Sequence, residues 1–132
     1  MRVMKLAVKR RSLPARVVAA ADKSKILGLR IGDASHRFIG VWCVVVEGRV
    51  CVRSYTLEPA GWYRASLLDD RATLQVGDRV IKARAVGVRS TRLRDAVDAA
   101  YAAKYSTPGA QKFVRGFKLP KRKATTTEFV GR

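Results

Sequence analysis

Phe38 to Val46 reads Phe-Ile-Gly-Val-Trp-Cys-Val-Val-Val, a nearly continuous apolar run rich in β-branched residues. That is the pattern of a strand covered on both faces. Glu47-Gly48 turns the chain into Arg49 to Tyr55, where apolar residues sit between basic ones, and the two runs together predict a β-hairpin. Ahead of it, Lys25 to Ile31 alternates imperfectly and predicts a first strand closed by Gly32-Asp33. Residues 1–13 read as an arm, with Pro14 breaking any helix there, and Ala15 to Lys23 has helix-forming composition without a clear amphipathic stripe.

Downstream, Glu58-Pro59-Ala60-Gly61 is a loop and Trp62 to Leu68 predicts a helix of about two turns, ending at Asp69-Asp70. Ala72, Leu74 and Val76 alternate with Thr73 and Gln75, Gly77-Asp78 turns, and a return strand runs from Arg79 to about Val88. Ser90 or Thr91 can cap a helix over 92–105, on which Leu93, Val97, Ala100, Tyr101 and Lys104 share a stripe. Ser106-Thr107-Pro108-Gly109 ends it, a looser helical stretch over 110–119 stops at Pro120, and the tail 124–130 has strand propensity. No β-α-β crossover precedes residue 90. Six strands in antiparallel hairpins with late helices therefore predict a mainly β, α+β fold, a small barrel with flanking helices.

Charge changes this picture at the ends. The 132 residues carry 28 Lys and Arg against 10 Asp and Glu, a formal charge of +18. Residues 1–30 hold nine cations and one Asp, and residues 112–132 hold seven and one Glu, so the central segment is nearly balanced. We read residues 1–24 as a basic, flexible N-terminal arm and 25–132 as the folded domain. Basic ends attract polyanions without specificity, so nonspecific nucleic-acid binding is one expectation. Against a dedicated nucleic-acid role, residues 1–30 contain no aromatic side chain.

Several classes fall away. No apolar run approaches the ~18 residues of a membrane span, so no membrane insertion is expected. The longest apolar run near the start is Val17 to Ala21, too short for a secretory h-region, which leaves the cytoplasm as the expected compartment. Cys43, Cys51 and His36 cannot make a four-ligand zinc site, and no metal is expected. Only a three-residue turn, 46 to 48, would set the two cysteines opposite each other, so buried free thiols are expected.

Two constellations carry candidate chemistry. In the first, Arg53-Ser54-Tyr55 ends a strand and Trp62-Tyr63-Arg64 starts a short helix. Guanidiniums, a hydroxyl and helix N-terminal amides suit a phosphate, with a Trp or Tyr over a ring system; capping aromatics and solvated arginines are the other reading. In the second, Asp98, Tyr101, Lys104 and Tyr105 neighbour one another on one helix. Tyr101, Lys104 and Tyr105 are candidate substrate or anion contacts, or Lys104 lies over aromatic rings with no chemical role. Gly28-x-x-x-Gly32 is no phosphate loop, and neither a paired-carboxylate arrangement nor a nucleophile elbow occurs.

In order, Phe38 to Trp42, Cys51-Val52-Arg53-Ser54, Gly61-Trp62-Tyr63-Arg64-Ala65, Val97 to Tyr105 and Ala124 to Thr127 resemble the bacterial domain-of-unknown-function family 2255 over about residues 25–132. That family looks like a relative of the split β-barrel proteins that bind FMN or deazaflavin, such as pyridoxamine-phosphate oxidases. The resemblance implies a six-stranded antiparallel split barrel, a homodimer with cofactor at its interface, and a cofactor phosphate held at Arg53-Ser54 and Tyr63-Arg64 beside Trp62. Cys51 departs from the pattern, standing where an aromatic residue is usual, and the arm 1–24 has no counterpart in it. The implied function is binding of a flavin-type cofactor, with oxidoreductase activity as its extension. The alternatives are a basic nucleic-acid-associated protein and a cofactor-free structural or interaction barrel.

Overall fold

The computed structural model describes residues 12–32 and 37–132, so the expectations that fall on residues 1–11 and on His36 lie outside the described residues. Among the described residues, seven strands form one antiparallel sheet: β1 (Leu27–Ile31), β2 (Ile39–Val41), β3 (Cys43–Val46), β4 (Arg49–Val52), β5 (Arg71–Val76), β6 (Arg79–Gly87) and β7 (Thr127–Gly131). Five helices flank them: α1 (Ala15–Lys23), α2 (Trp62–Leu68), α3 (Thr91–Lys104), α4 (Pro108–Phe117) and α5 (Pro120–Lys123).

The strand order is β2-β1-β5-β6-β7-β4-β3. The two edges of the sheet are thus the consecutive strands β2 and β3, joined through the single residue Trp42. β2 pairs with β1, placing Val41 opposite Leu27, while β3 pairs with β4, placing Cys43 opposite Val52. One covalent run therefore belongs to both edges and draws the sheet into a nearly closed barrel, leaving little open edge. The sequence predicts six strands. The seventh arises because the Phe38 to Val46 run changes partner at Trp42.

The turns follow their local chemistry. Val46 pairs with Arg49, so the first hairpin has the two-residue loop Glu47-Gly48, with φ values of 53° and 75°. Positive φ at both positions is the type I′ turn that matches strand twist, and glycine adopts it freely. The two-residue loop offsets the cysteines, since Cys43 faces Val52 and Cys51 faces Val44. Both are buried free thiols, and they belong to different cores.

The first core lies on one face of the sheet and holds Leu27, Leu29, Cys43, Val50, Val52, Ala72, Leu74, Val76, Ala83 and Phe129. Its helical cover comes from Trp62 of α2 and from Leu13, Val17 and Ala21 in and before α1. The opposite face of β3 and β4, with Val44, Val46 and Cys51, packs on Val97, Tyr101 and Tyr105 of α3 and on Val114 and Phe117 of α4. On β6, by contrast, Val80, Lys82 and Arg84 are exposed.

Two expectations change. The flexible arm over 1–24 does not extend that far: α1 is helical, and Leu13, Val17 and Ala21 are buried in the first core. Its stripe escapes notice because Ala19, Ala20 and Ala21 give no contrast between buried and open faces. At the other end, Pro108 opens α4 instead of separating helices, and Pro120 opens the additional short α5; a proline at the first helical position forfeits no hydrogen bond. No helix among the described residues is long and apolar enough to cross a membrane.

Candidate functional site

Continuing the β3–β4 register by one step sets Trp42 opposite Arg53. No direct rung forms there. The Tyr101 hydroxyl stands between the two, accepting the Arg53 N–H at 2.9 Å and donating to the Trp42 carbonyl at 2.7 Å. One turn further along α3, the Tyr105 hydroxyl accepts the Cys43 N–H at 3.0 Å and lies within hydrogen-bonding reach of the Lys25 and Cys43 carbonyls, at 2.7 and 2.9 Å. Lys104 donates to the carbonyls of Ala21 and Cys43, both at 2.9 Å. These side chains satisfy backbone groups of Trp42, Cys43 and Arg53 at the change of strand partner, and of Ala21 and Lys25 beside it; buried in apolar surroundings, such groups cost about 1–3 kcal/mol each if left unpaired.

The splayed strands open a cavity of about 430 Å³. Its walls are Ile39, Gly40 and Val41 from β2, Trp42 at the break, Arg53 to Thr56 after β4, Trp62 of α2, and Phe113 and Phe117 of α4. The aromatic walls brace one another: Trp42 meets Phe113 at 71°, and Tyr55 meets Phe113 and Phe117 at 65° and 89°, all with ring centroids less than 6 Å apart. Behind Trp42, Tyr105 stacks parallel at 4.3 Å. Among the described residues the lining holds no carboxylate, thiol or imidazole. A second cavity of about 330 Å³, lined by Leu29, Ile31, Ile39, Ala60, Trp62 and Ala65, shares Ile39 and Trp62 with the first.

The predicted residues separate sharply in this frame. Ser54 and Trp62 line the larger cavity. Arg53 lines it too, but its side chain is fully buried and committed to the fold. Its guanidinium donates to Thr126 Oγ1, to Asp98 Oδ1 and to the carbonyls of Phe117 and Arg94. Four of a guanidinium's five N–H groups are thereby spent, and a phosphate has little to bind. Ser54 donates its hydroxyl to the Thr56 carbonyl and its N–H to Thr125 Oγ1. Tyr63 packs edge-on to Trp62 beside the first core, and Arg64 is exposed; neither lines a cavity.

The second constellation likewise stays outside both cavities. Tyr101 and Tyr105 are buried, and burial pushes both phenols far above their ordinary range. Lys104 ties α3 to α1 and β3. Its ammonium lies 3.7 Å from the Cys43 sulfur, whose thiol burial pushes up despite that neighbour. Asp98 joins Arg53 and Lys123. Burial works against its charge, but hydrogen bonds from Lys123 and Arg53 outweigh that and hold the carboxyl below its usual range. No group of three or more metal-ligating side chains occurs among the described residues.

Sequence reasoning placed Tyr55 in its first constellation but missed the cavity's other main walls, Ile39, Trp42, Phe113 and Phe117. The available signal was the Phe113/Phe117 pair at helical i,i+4 spacing, placed on a helix whose other buried residue is Val114.

A small antiparallel barrel with an aromatic cavity at its strand break is the class of protein that fold and site define. The chain belongs to the family described as "uncharacterized protein conserved in bacteria" (DUF2255), whose pattern matches residues 15–128. That match includes α1, so the family resemblance begins earlier than residue 25. Among solved structures the chain is similar to a FAD-binding protein from Mesorhizobium loti, with a TM-score of 0.54 and 13% sequence identity, over 90% of this chain and 88% of that one. At that identity the likeness is one of fold. A comparison with curated proteins found no match.

Proposed function

We propose that this protein binds a flavin-type cofactor, with the ring system in the cavity walled by Trp42, Tyr55, Trp62, Phe113 and Phe117. The observation that carries this reading is the aromatic cavity itself, of a size and chemistry suited to a planar ring. The fold shared with a FAD-binding protein supports it. The residues fit the ring half of such a group. They do not fit the phosphate arrangement expected at Arg53 and Arg64, since the first is spent internally and the second lines neither cavity.

A bound flavin supplies hydride chemistry, which makes an oxidoreductase the natural extension of the reading. This chain's part is to hold the ring between braced aromatics and to keep water from it with Ile39, Val41 and Phe117. Among the described lining residues, Tyr55 carries the one phenol and is the candidate proton donor. The homodimer implied by the family resemblance belongs to the same proposal, and sedimentation of the protein with and without cofactor tests it.

The direct experiment is an absorbance titration of the purified protein with FMN, FAD and a deazaflavin at high salt, which suppresses nonspecific attraction of anions to so basic a chain. A shifted, structured flavin band that saturates at one equivalent per chain is the expected result. Unperturbed spectra for all three would overturn the reading.

A further inference from the structure

Resting on the flavin reading, we propose that Arg122 is the phosphate-binding residue and that the cofactor is a flavin phosphoester. Tyr55 forms part of the cavity wall, and the Arg122 guanidinium stacks on it, 3.8 Å from the ring centroid. Arg122 Nε donates to the Tyr55 carbonyl at 2.7 Å, which fixes the plane of the guanidinium. Its two terminal nitrogens have no hydrogen-bond partner among the described residues. A stacked guanidinium with one edge anchored and the fork left open is prepared for bidentate phosphate binding without losing further side-chain freedom.

The platform beneath it is equally fixed. A Cβ at Gly116 would lie 2.8 Å from Tyr55 Cε1 and 2.9 Å from its hydroxyl oxygen, so glycine is what lets α4 approach this ring. Phe113 and Phe117 then meet the ring edge-on. Tyr55 thus belongs both to the cavity wall and to the guanidinium stack, while Arg122 itself stays outside the lining. That placement suits a ligand whose ring is buried and whose anionic tail leaves the cavity. Among nearby cations, Lys112 also lies over a wall ring, 5.3 Å from the Phe113 centroid, but no hydrogen bond among the described residues fixes it, and Arg115, Lys118 and Lys121 are exposed. Arg53, the residue expected from sequence, has the opposite character: four of its five N–H groups are spent and its side chain is buried.

The test compares FMN with riboflavin, which has the same ring and no phosphate, on wild type, Arg122→Gln, Arg122→Lys and the charge control Arg79→Gln. Arg79 is exposed on β6 and lines neither cavity. Arg122→Gln is expected to weaken FMN about tenfold or more, while riboflavin stays within about twofold and Arg79→Gln changes neither. Arg122→Lys keeps the charge but loses the fork, and is expected to weaken FMN by a smaller factor; it carries the test should the glutamine variant not fold. Equal wild-type affinity for the two flavins overturns the assignment, as does an Arg122→Gln effect no larger than that of Arg79→Gln. If wild type binds neither flavin, the cofactor reading itself fails and Arg122 falls with it.

Discussion

Tyr101 takes the place of a sheet rung beside Arg53: its hydroxyl accepts the Arg53 N–H at 2.9 Å and passes a hydrogen bond to Trp42 at 2.7 Å. The ring is buried, stacked on Phe117 at 4.7 Å. Tyr101→Phe keeps that packing and removes only the oxygen, orphaning a donor and an acceptor. We expect a loss of about 2–4 kcal/mol of stability in urea unfolding. A loss under 0.5 kcal/mol would show that the strands close on each other without the hydroxyl.

The same phenols set the alkaline limit of the fold. Burial raises Tyr101 and Tyr105 above the ordinary phenol value of 10.0, so the folded state holds protons that the unfolded chain releases. Their contribution is therefore fully present below pH 10 and lost as pH rises above it, at up to ~1.4 kcal/mol per pH unit for each phenol. Stability measured from pH 9 to 11.5 should fall with a slope that Tyr101→Phe reduces by about half. A native chain whose four tyrosines all ionise together near pH 10, read by ultraviolet absorbance, would contradict this.

Arg53 ties β4 to α3, α4 and the segment before β7 through Asp98, Arg94, Phe117 and Thr126. Arg53→Met leaves those acceptors buried, and we expect about 3–5 kcal/mol of destabilisation. Asp98 sits below the ordinary aspartate value of 3.8, so its share of stability is present above that pH and lost as pH falls through the lower folded value. Acid titration of Asp98→Asn should show a shallower fall below pH 4 than wild type. Parallel curves would mean that the Arg53–Asp98 pair adds nothing.

How much of this was legible depends on range. The hairpins, the short helix after Gly61 and the helix opening near Ser90 follow from alternation, turn residues and a cap, all within a few positions of each other. Arg53 did not: its partners lie 41 to 73 residues away, and a strand-end arginine looks the same whether it faces solvent or four acceptors. Tyr101, Lys104 and Tyr105 stood out as a set, but their hydroxyls and ammonium bond backbone groups around a strand break at Trp42 that no local pattern announces. The buried side of α1 was hidden among alanines.

That hidden helix makes the arm divisible. Deleting residues 1–24 removes Leu13, Val17 and Ala21 from the first core, and burial of the Leu and Val side chains alone contributes about 3–6 kcal/mol. A chain starting at Ser12 keeps all three. We expect the longer deletion to lose cooperative thermal unfolding, and the shorter one to melt within a few degrees of the full chain. Removing Arg2, Lys5, Lys9, Arg10 and Arg11 should also flatten the salt dependence of binding to a nonspecific DNA duplex. An unchanged slope would place any polyanion contacts elsewhere.

Ile39 offers the most direct test of the cavity, because it lines both hollows yet is 43% exposed. A larger side chain there fills open space and leaves both cores intact. Ile39→Trp should lower flavin affinity more than tenfold while the melting temperature moves by only a few degrees, since surface substitutions change stability little. Wild-type affinity in this variant would mean that the ring lies elsewhere on the barrel. The exposed outer face of β6, with Val80, Lys82 and Arg84, would then be the next surface to map.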